Sequence, residues 1–440
     1  MEFSRRRLLM GTLFGSGLLG LRSLATGIPM AILANPRQAL AVPPPVPSRP
    51  HAAQYIILST SADGDPLSCN APGTYLNPDL VHPSAPAMAP TALRLSGQSV
   101  TAARPWSTLP QNLLDRTCFF HHGTYSVVHS EEQRVLALGG DGPTDEMFVS
   151  MLAARLAPTL GTVQPEPIVL GPRNASEALV YQTRPQPIVA PSALALLLGA
   201  PTGALGQLTQ LRDRDLNRMN AWIRCEGTAA QAAFIDQYVR SQAQVRVISE
   251  DLLSTLQQIH DDYANAQILA AVTLLRMNVA PVISLHIPFG GDNHGDSNLA
   301  RETSQTLTGV ASLGRLWSTL QQHGMQDRVS FLSLNVFGRT MSRARATNGR
   351  AHNANHHVAV MFGPAFRGSV VGGIEPREGD FGATSINATT GQGVPGEAGE
   401  VRFRGTFKSM AATFGQGVGV PPSDLPALSG STVINAGLAS

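Results

Sequence analysis

Six short, largely apolar runs recur along this chain, at 54–59, 117–121, 167–170, 279–285, 329–334 and 358–362. A strand wetted on one face alternates apolar and polar residues, whereas a strand buried on both faces reads as an unbroken apolar run. Gln54-Tyr55-Ile56-Ile57-Leu58-Ser59 has the second pattern and stops at the turn-forming Ser61-Ala62-Asp63-Gly64-Asp65-Pro66. Helical spacing fills the intervals. One helix is expected to start at the N-cap Thr144, with Asp145 and Glu146 in its first turn and Met147, Met151 and Leu152 buried. A second carries Ile248, Leu252, Leu256 and Ile259 on one face, and a third Leu307, Val310, Leu313, Trp317 and Leu320. Alternating strands and helices predict an α/β chain, a doubly wound, mostly parallel sheet covered on both faces.

The chain is long enough to bury such a core, with 440 residues, 43% of them hydrophobic and only 14% charged. Its 42 glycines and 32 prolines point to long loops and exclude a helical bundle or coiled coil. Ser4-Arg5-Arg6-Arg7-Leu8-Leu9-Met10 opens a moderately apolar stretch to Leu21, diluted by Gly11, Gly15, Gly17 and Gly20. That pattern suits a twin-arginine export signal, with Ala39-Leu40-Ala41 as its cleavage site; an uncleaved N-terminal anchor is the alternative. Residues 1–41 are thus read as a leader, 42–50 as a proline-rich linker, and 51–440 as one domain. Of 32 basic and 30 acidic residues, five arginines and Glu2 belong to the leader, leaving 27 and 29. A net charge of about −2 gives no field that would hold nucleic acid or an anionic membrane. The expected partner in export is the twin-arginine translocase, and the expected location is periplasmic, extracellular or cell envelope. In such a compartment three cysteines allow one disulfide and one leftover thiol. Cys69 with Cys118 is the preferred pair, since each follows a strand of the same sheet; three free cysteines are the alternative.

In a parallel sheet, ligands bind beyond the carboxyl ends of the strands. The unusual polar residues cluster there. Asp63-Gly64-Asp65 follows the first strand and offers two carboxylates for a hard cation, or simply a common turn. His121-His122-Gly123-Thr124-Tyr125-Ser126, then His129-Ser130-Glu131-Glu132, follows the second; its hydroxyls could supply a nucleophile. Gly290-Gly291-Asp292-Asn293-His294-Gly295-Asp296 follows the strand at 279–285, and a tight glycine-flanked loop lets Asp292 and His294 face one ion. Asn298 and Glu302 are supporting partners in the same stretch. Asn335-Val336-Phe337-Gly338-Arg339-Thr340 presents an arginine able to hold an anionic oxygen or to pair a structural carboxylate. Asn348 to His357 packs three histidines and three asparagines into ten residues, too many polar groups for simple packing.

Taken in order, these motifs resemble the exported proteins of the domain-of-unknown-function 1501 family, within the alkaline phosphatase and sulfatase superfamily. The matching pieces are the leader, Ala62-Asp63-Gly64, the Asp-x-His loop at Asp292 and His294, and Phe337-Gly338-Arg339-Thr340. Gly349-Arg350-x-His352, Gly368-Ser369-Val370-Val371-Gly372-Gly373 and Gly417-Val418-Gly419-Val420 complete the set. The resemblance implies a three-layer α/β/α, alkaline phosphatase-like fold and hydrolysis of phosphate or sulfate esters, small or polymeric. It implies one divalent metal on Asp63, Asp292, His294 and His352, with Asp65, His129, Asn335 and His356 as supporting residues. Zinc or manganese is preferred because of the histidines, with magnesium or calcium as alternatives. A hydroxyl nucleophile would come from Ser126, Thr124 or Ser130, and Arg339 would stabilise charge. Val336 stands where relatives carry an acidic residue and Ala351 where they carry aspartate, so a second metal is not expected. The alternative reading is a noncatalytic envelope protein on an inherited fold. A carbohydrate-binding surface has less support, since aromatics total only 5%.

Overall fold

In the computed structural model the described residues are 53–439, apart from 65, 76, 139–145, 163, 173–178, 199–213, 216, 219, 223, 229–231, 233–254, 256, 290, 344, 346 and 347. The leader, the linker, Asp65, the Thr144 cap with Asp145, and Ile248, Leu252 and Leu256 all lie outside them.

The central element is an eight-stranded sheet. Its strands and the helices that frame it are, in chain order, β1 (Tyr55–Ser59), α1 (Leu67–Asn70), β2 (Thr117–His122), α2 (Phe148–Leu160), β3 (Ile168–Leu170) and β4 (Ile188–Val189). They continue as α3 (Ala264–Arg276), β5 (Val282–Leu285), α4 (Ala300–Gln322), β6 (Val329–Ser333), β7 (His357–Phe362), β8 (Ser369–Val371) and α5 (Thr406–Gly417). The spatial order is β8-β2-β7-β6-β1-β5-β3-β4. Ladders β1–β6, β1–β5, β5–β3, β3–β4 and β8–β2 are parallel; β7 runs antiparallel to both neighbours, β6 and β2. Seven strands therefore point one way and β7 the other.

Every residue of β1, β2, β5, β6 and β7 is buried, which accounts for their unbroken apolar runs. The period of two divides them between two cores. Ile57, Phe119, Ile283, Phe331 and Val360 pack with α3 and α4 residues such as Ile268, Val272, Leu313 and Trp317. Ile56, Leu58, Phe120, Val282, Leu332 and Met361 pack with Phe148 and Leu152 of α2 and with Phe407, Met410 and Phe414 of α5. Helices thus cover both faces, as the strand-helix alternation predicts.

Three details differ from the sequence reading. Helix α2 starts at Phe148, with Met147 rather than Thr144 at its N-cap. Leu307 is 40% exposed although its periodicity mates Val310, Leu313, Trp317 and Leu320 are buried, because the apolar stripe of α4 begins one turn later. The cysteines are free. Cys118 sits in the core under α5, while Cys69 packs with Leu80, Met341 and Phe381, so the preferred pair occupies separate apolar clusters. Among the described residues no helix is long and apolar enough to cross a membrane.

Candidate functional site

The reversal of β7 decides where the site forms. His357, its first residue, pairs with His122, the last of β2, so the histidine-rich segment before β7 emerges at the carboxyl edge of the parallel strands. The loops after β1, β2, β5 and β6 leave from that same edge, and the five segments meet there.

Two arginines tie them together. Arg350 and Glu302 are fully buried and bidentate, with Nε to Oε2 at 2.5 Å and Nη2 to Oε1 at 3.1 Å. Arg350 also donates to the carbonyls of Thr340 (2.8 Å) and Val81 (2.6 Å). Glu302 accepts from Asn70 Nδ2 (3.0 Å) and Asn293 Nδ2 (3.3 Å), which fixes the middle residue of the Asp292-Asn293-His294 loop. A buried pair so fully hydrogen-bonded offsets its desolvation, which an unsupported one would not. Asp296 anchors the same loop at the start of α4, accepting from the Arg301 and Glu302 N–H groups at 3.1 and 2.9 Å. Asn298 is exposed and accepts the Ala300 N–H at 3.2 Å.

Arg339 is also fully buried. Its Nη2 donates to the Asp63 carbonyl and to the Gly291 carbonyl (3.3 Å), its Nη1 to the Arg350 carbonyl (3.4 Å), and it stacks over the Phe337 ring at 5.3 Å. The expected charge-stabilising arginine is therefore occupied with main-chain oxygens of three loops and holds them in register. Its Nη1 lies 3.6 Å from Asp292 Oδ1.

Around this frame stand three imidazoles. His352 stacks on Phe337 with ring centroids 4.0 Å apart, and the rings of His129 and His294 each meet it edge-on at 4.7 Å. Each ring is held through Nδ1: His129 to the Ala62 carbonyl (2.7 Å), His352 to the Val127 carbonyl (2.5 Å), His294 to the Asp292 carboxylate. An oxygen that only accepts fixes a proton on Nδ1, so that in the neutral ring the lone pair sits on Nε2. For His294 this settles a competition with Arg339 Nη1, 3.3 Å from the same nitrogen: a ring nitrogen already donating cannot also accept. The hydrogen bond from His294 and the nearby Arg339 guanidinium hold the Asp292 carboxyl down at about 2. Burial lowers the pKa of His352, with Arg339 adding to it against the Val127 hydrogen bond. Its Nε2 is buried and has no hydrogen-bond partner among the described residues. The Asp63 side chain is 62% exposed, and its Oδ1 lies 3.9 Å from His129 Nδ1. No three His, Cys, Asp or Glu side chains among the described residues already converge on one point.

The candidate hydroxyls part company. Ser126 is buried, donating to Glu131 Oε2 at 2.5 Å and accepting from the Val128 N–H at 3.2 Å. Thr124 Oγ1 is buried without a hydrogen-bond partner among the described residues, and Ser130 is exposed on the turn His129–Glu131. Between the first two, Tyr125 adopts a left-handed φ of 61°. The Thr124 and Tyr125 N–H groups both donate to the Ala354 carbonyl, at 3.0 and 2.9 Å, laying this loop against the His352 segment.

Two supporting residues go elsewhere. His356 Nε2 donates to His121 Nδ1 (2.9 Å), whose own Nε2 donates to the Pro72 carbonyl (2.9 Å). Asn335 is buried at the end of β6 and its N–H donates to His357 Nε2 (3.3 Å); His357 Nδ1 donates to His122 Nε2 (3.3 Å), and His122 Nδ1 to the Gly123 carbonyl (3.0 Å). All four of these histidines are fully buried, and burial pushes His121 and His122 down to about 4 and holds His356 and His357 well below the ordinary imidazole value. They form a neutral network inside the sheet, apart from the three outer rings.

No family model matches this chain, and no curated protein does either. The site therefore rests on its own chemistry.

Proposed function

We propose that this chain is an exported metal-dependent hydrolase of phosphate or sulfate esters on a three-layer, alkaline phosphatase-like α/β/α fold. The observation that carries the reading is the convergence, at one sheet edge, of Asp63, His129, Asp292, His294, Arg339 and His352 from five separate segments. The unpartnered Nε2 of His352, with two more imidazoles against its ring, supports the reading, although no three His, Cys, Asp or Glu side chains among the described residues are placed to hold an ion together. A bound ion would polarise the ester and lower the pKa of the attacking hydroxyl. The protein's own groups do the rest. Ser126 is the preferred nucleophile, because it alone of the three hydroxyls donates to a carboxylate. Its oxygen attacks phosphorus or sulfur, its proton passes to Glu131, and the bond to the leaving alcohol breaks; water then cleaves the seryl ester. Asp292 holds His294 in one tautomer, and Arg339 keeps the loops from parting.

A second reading is favoured by one residue. Val336 is fully buried in the core under α2 and α5, where a second metal would need an acidic ligand. A noncatalytic envelope protein retaining the fold would show the same feature.

Nitrophenyl phosphate and nitrophenyl sulfate, offered to the full chain with added zinc or manganese, separate the two. The hydrolase reading expects turnover that is lost in the Asp292→Ala, His294→Ala double variant while circular dichroism stays unchanged. Absence of turnover on both esters, with retained location and partner binding in the double variant, moves the conclusion to the second reading.

A further inference from the structure

Two of the asparagines among the histidines before β7 take no part in the site described above, and their side chains lead to a hairpin that follows β8. We infer that Asp380, on the hairpin Ile374–Arg377/Asp380–Ala383, is a positioning residue: its carboxylate fixes the register of the two short strands that carry Arg339 and His352. This goes beyond the proposed function and rests on it only where turnover is the readout.

Gly338–Arg339 pairs antiparallel with His352–Asn353, Gly338 opposite Asn353 and Arg339 opposite His352. Two residues a side are too few to hold a register, since even a longer isolated hairpin is marginal in water. Register matters because side chains alternate between faces. A slip of one residue would turn the His352 ring away from Phe337 and the Val127 carbonyl, or the Arg339 guanidinium away from the Asp63 and Gly291 carbonyls.

Asp380 reaches both strands. Its Oδ1 accepts the Met341 and Ser342 N–H groups at 3.0 and 2.7 Å, and its Oδ2 the side-chain amide of Asn353 at 3.2 Å. Met341 and Ser342 come two and three residues after Arg339, and Asn353 directly follows His352, so one carboxylate holds the pair together. Hydrogen bonds to an ionised acceptor are about twice as strong as neutral ones. The asparagines complete the junction. Asn353 is buried; its Nδ2 also donates to the Phe381 carbonyl (2.9 Å), and its Oδ1 accepts the Asn355 N–H (2.8 Å). Asn355 Nδ2 donates to Glu378 Oε2 (2.9 Å), and its carbonyl accepts the Ala383 N–H (2.8 Å). The hairpin closes through Glu378 and Gly379, with left-handed φ of 52° and 75°, the geometry by which two-residue turns match strand twist. Outer hydrogen bonds of this kind hold a site to within about 0.5 Å of its working geometry.

The test compares Asp380→Ala, Asp380→Asn and the exchange Asp380→Asn, Asn353→Asp in the full chain. Asp115→Ala is the control. Asp115 also accepts a backbone N–H, from Ser96 (3.0 Å), and a side-chain amide, from Gln111 (2.8 Å), but it precedes β2 at the opposite sheet edge. Nitrogen-15 NMR of the chelator-treated protein reads the His352 tautomer, and turnover of nitrophenyl phosphate gives kcat and KM separately. Expected in the unaltered protein is a single Nδ1–H tautomer for His352. Asp380→Ala should mix it with Nε2–H and lower kcat by about 10- to 100-fold, as roughly 1 Å of misplacement does, with KM within about twofold. Asp380→Asn sets donor against donor at Asn353 and should behave likewise. The exchange restores a donor facing an acceptor and should regain the single tautomer and at least about threefold in kcat. Asp115→Ala should lower Tm and move neither readout. An unchanged His352 tautomer in Asp380→Ala would overturn the inference, as would an exchange variant no better than Asp380→Asn, or an equal loss of kcat in Asp115→Ala. Should Asp380→Ala fail to fold, the two variants that preserve side-chain size decide. Absence of turnover in the unaltered protein removes the hydrolase reading alone, and the tautomer then decides the role of Asp380.

Discussion

A methyl group at Gly349 would stand 2.3 Å from the carbonyl oxygens of Asn293 and His294, on a residue whose φ is +96°. Gly324 also has a positive φ, +65°, but open space around it. Gly324→Ala therefore measures the conformational cost alone, about 1 kcal/mol, whereas Gly349→Ala adds displacement of the Asp292–His294 loop. We expect Gly349→Ala to lower Tm by several degrees more than Gly324→Ala; equal losses in both would show that the contact is unimportant. This scale also shows what a sequence conceals. Asp292, His294 and His352 announce themselves by sitting on short glycine-marked loops. His129, named from the sequence only as a supporting residue, lies seven residues beyond β2, and packing against Phe337 and His352 sets its place. Phe337 reads as an ordinary apolar residue, and nothing in its spacing says that a histidine will lie flat upon it. The backbone carbonyls of Ala62 and Val127, which set two of the three tautomers, carry no sequence signature at all.

At the level of elements, the buried pair between Arg350 and Glu302 joins the start of α4 to the segment before β7. Arg350→Met would strand the Glu302 carboxylate without its cation, at a cost of about 3–5 kcal/mol. Adding Glu302→Leu should recover part of that loss, read as the midpoint of urea unfolding followed by tryptophan fluorescence. A double variant no more stable than Arg350→Met would show that the pair does not act as a unit. The strands that flank this junction were legible because burial on both faces leaves little choice of residue. Helix α4 was legible from its period, whereas its first turn was not, since Leu307 is apolar yet faces water. The helix begins later than the N-cap expected at Thr144 because Met147 is itself extended and buries its side chain before the helix starts. His356 misled for a related reason: proximity to His352 in sequence says nothing about which side of the sheet edge a side chain takes.

Across the whole molecule, the histidines His121, His122, His356 and His357 make folding sensitive to acid. Each accepts or donates as a neutral ring, and burial holds His121 and His122 near 4 while an unfolded imidazole titrates at about 6.5. The unfolded chain therefore binds more protons between those values. The stability these rings confer is complete above about pH 6.5 and is lost as pH falls toward 4, by about 1.4 kcal/mol per pH unit for each ring that must stay uncharged. Urea midpoints should be flat from pH 8 to 7 and fall steeply from pH 6 to 5, and His122→Gln, His357→Gln should shallow that slope; a profile flat through pH 5 would refute the burial of this network. The mostly parallel sheet with helices on both faces was visible in the order of apolar runs. The reversal of β7 was not, because an apolar run carries no mark of its direction. That reversal sets a schedule as well as a shape. A growing chain that ends before residue 352 lacks an imidazole and lacks the strand that brings it home, while the first contributor, Ala62, has waited since the start of the domain. Under the proposed function an ion could be captured only by the finished molecule, so the compartment in which folding ends, rather than the one in which synthesis begins, would choose the metal.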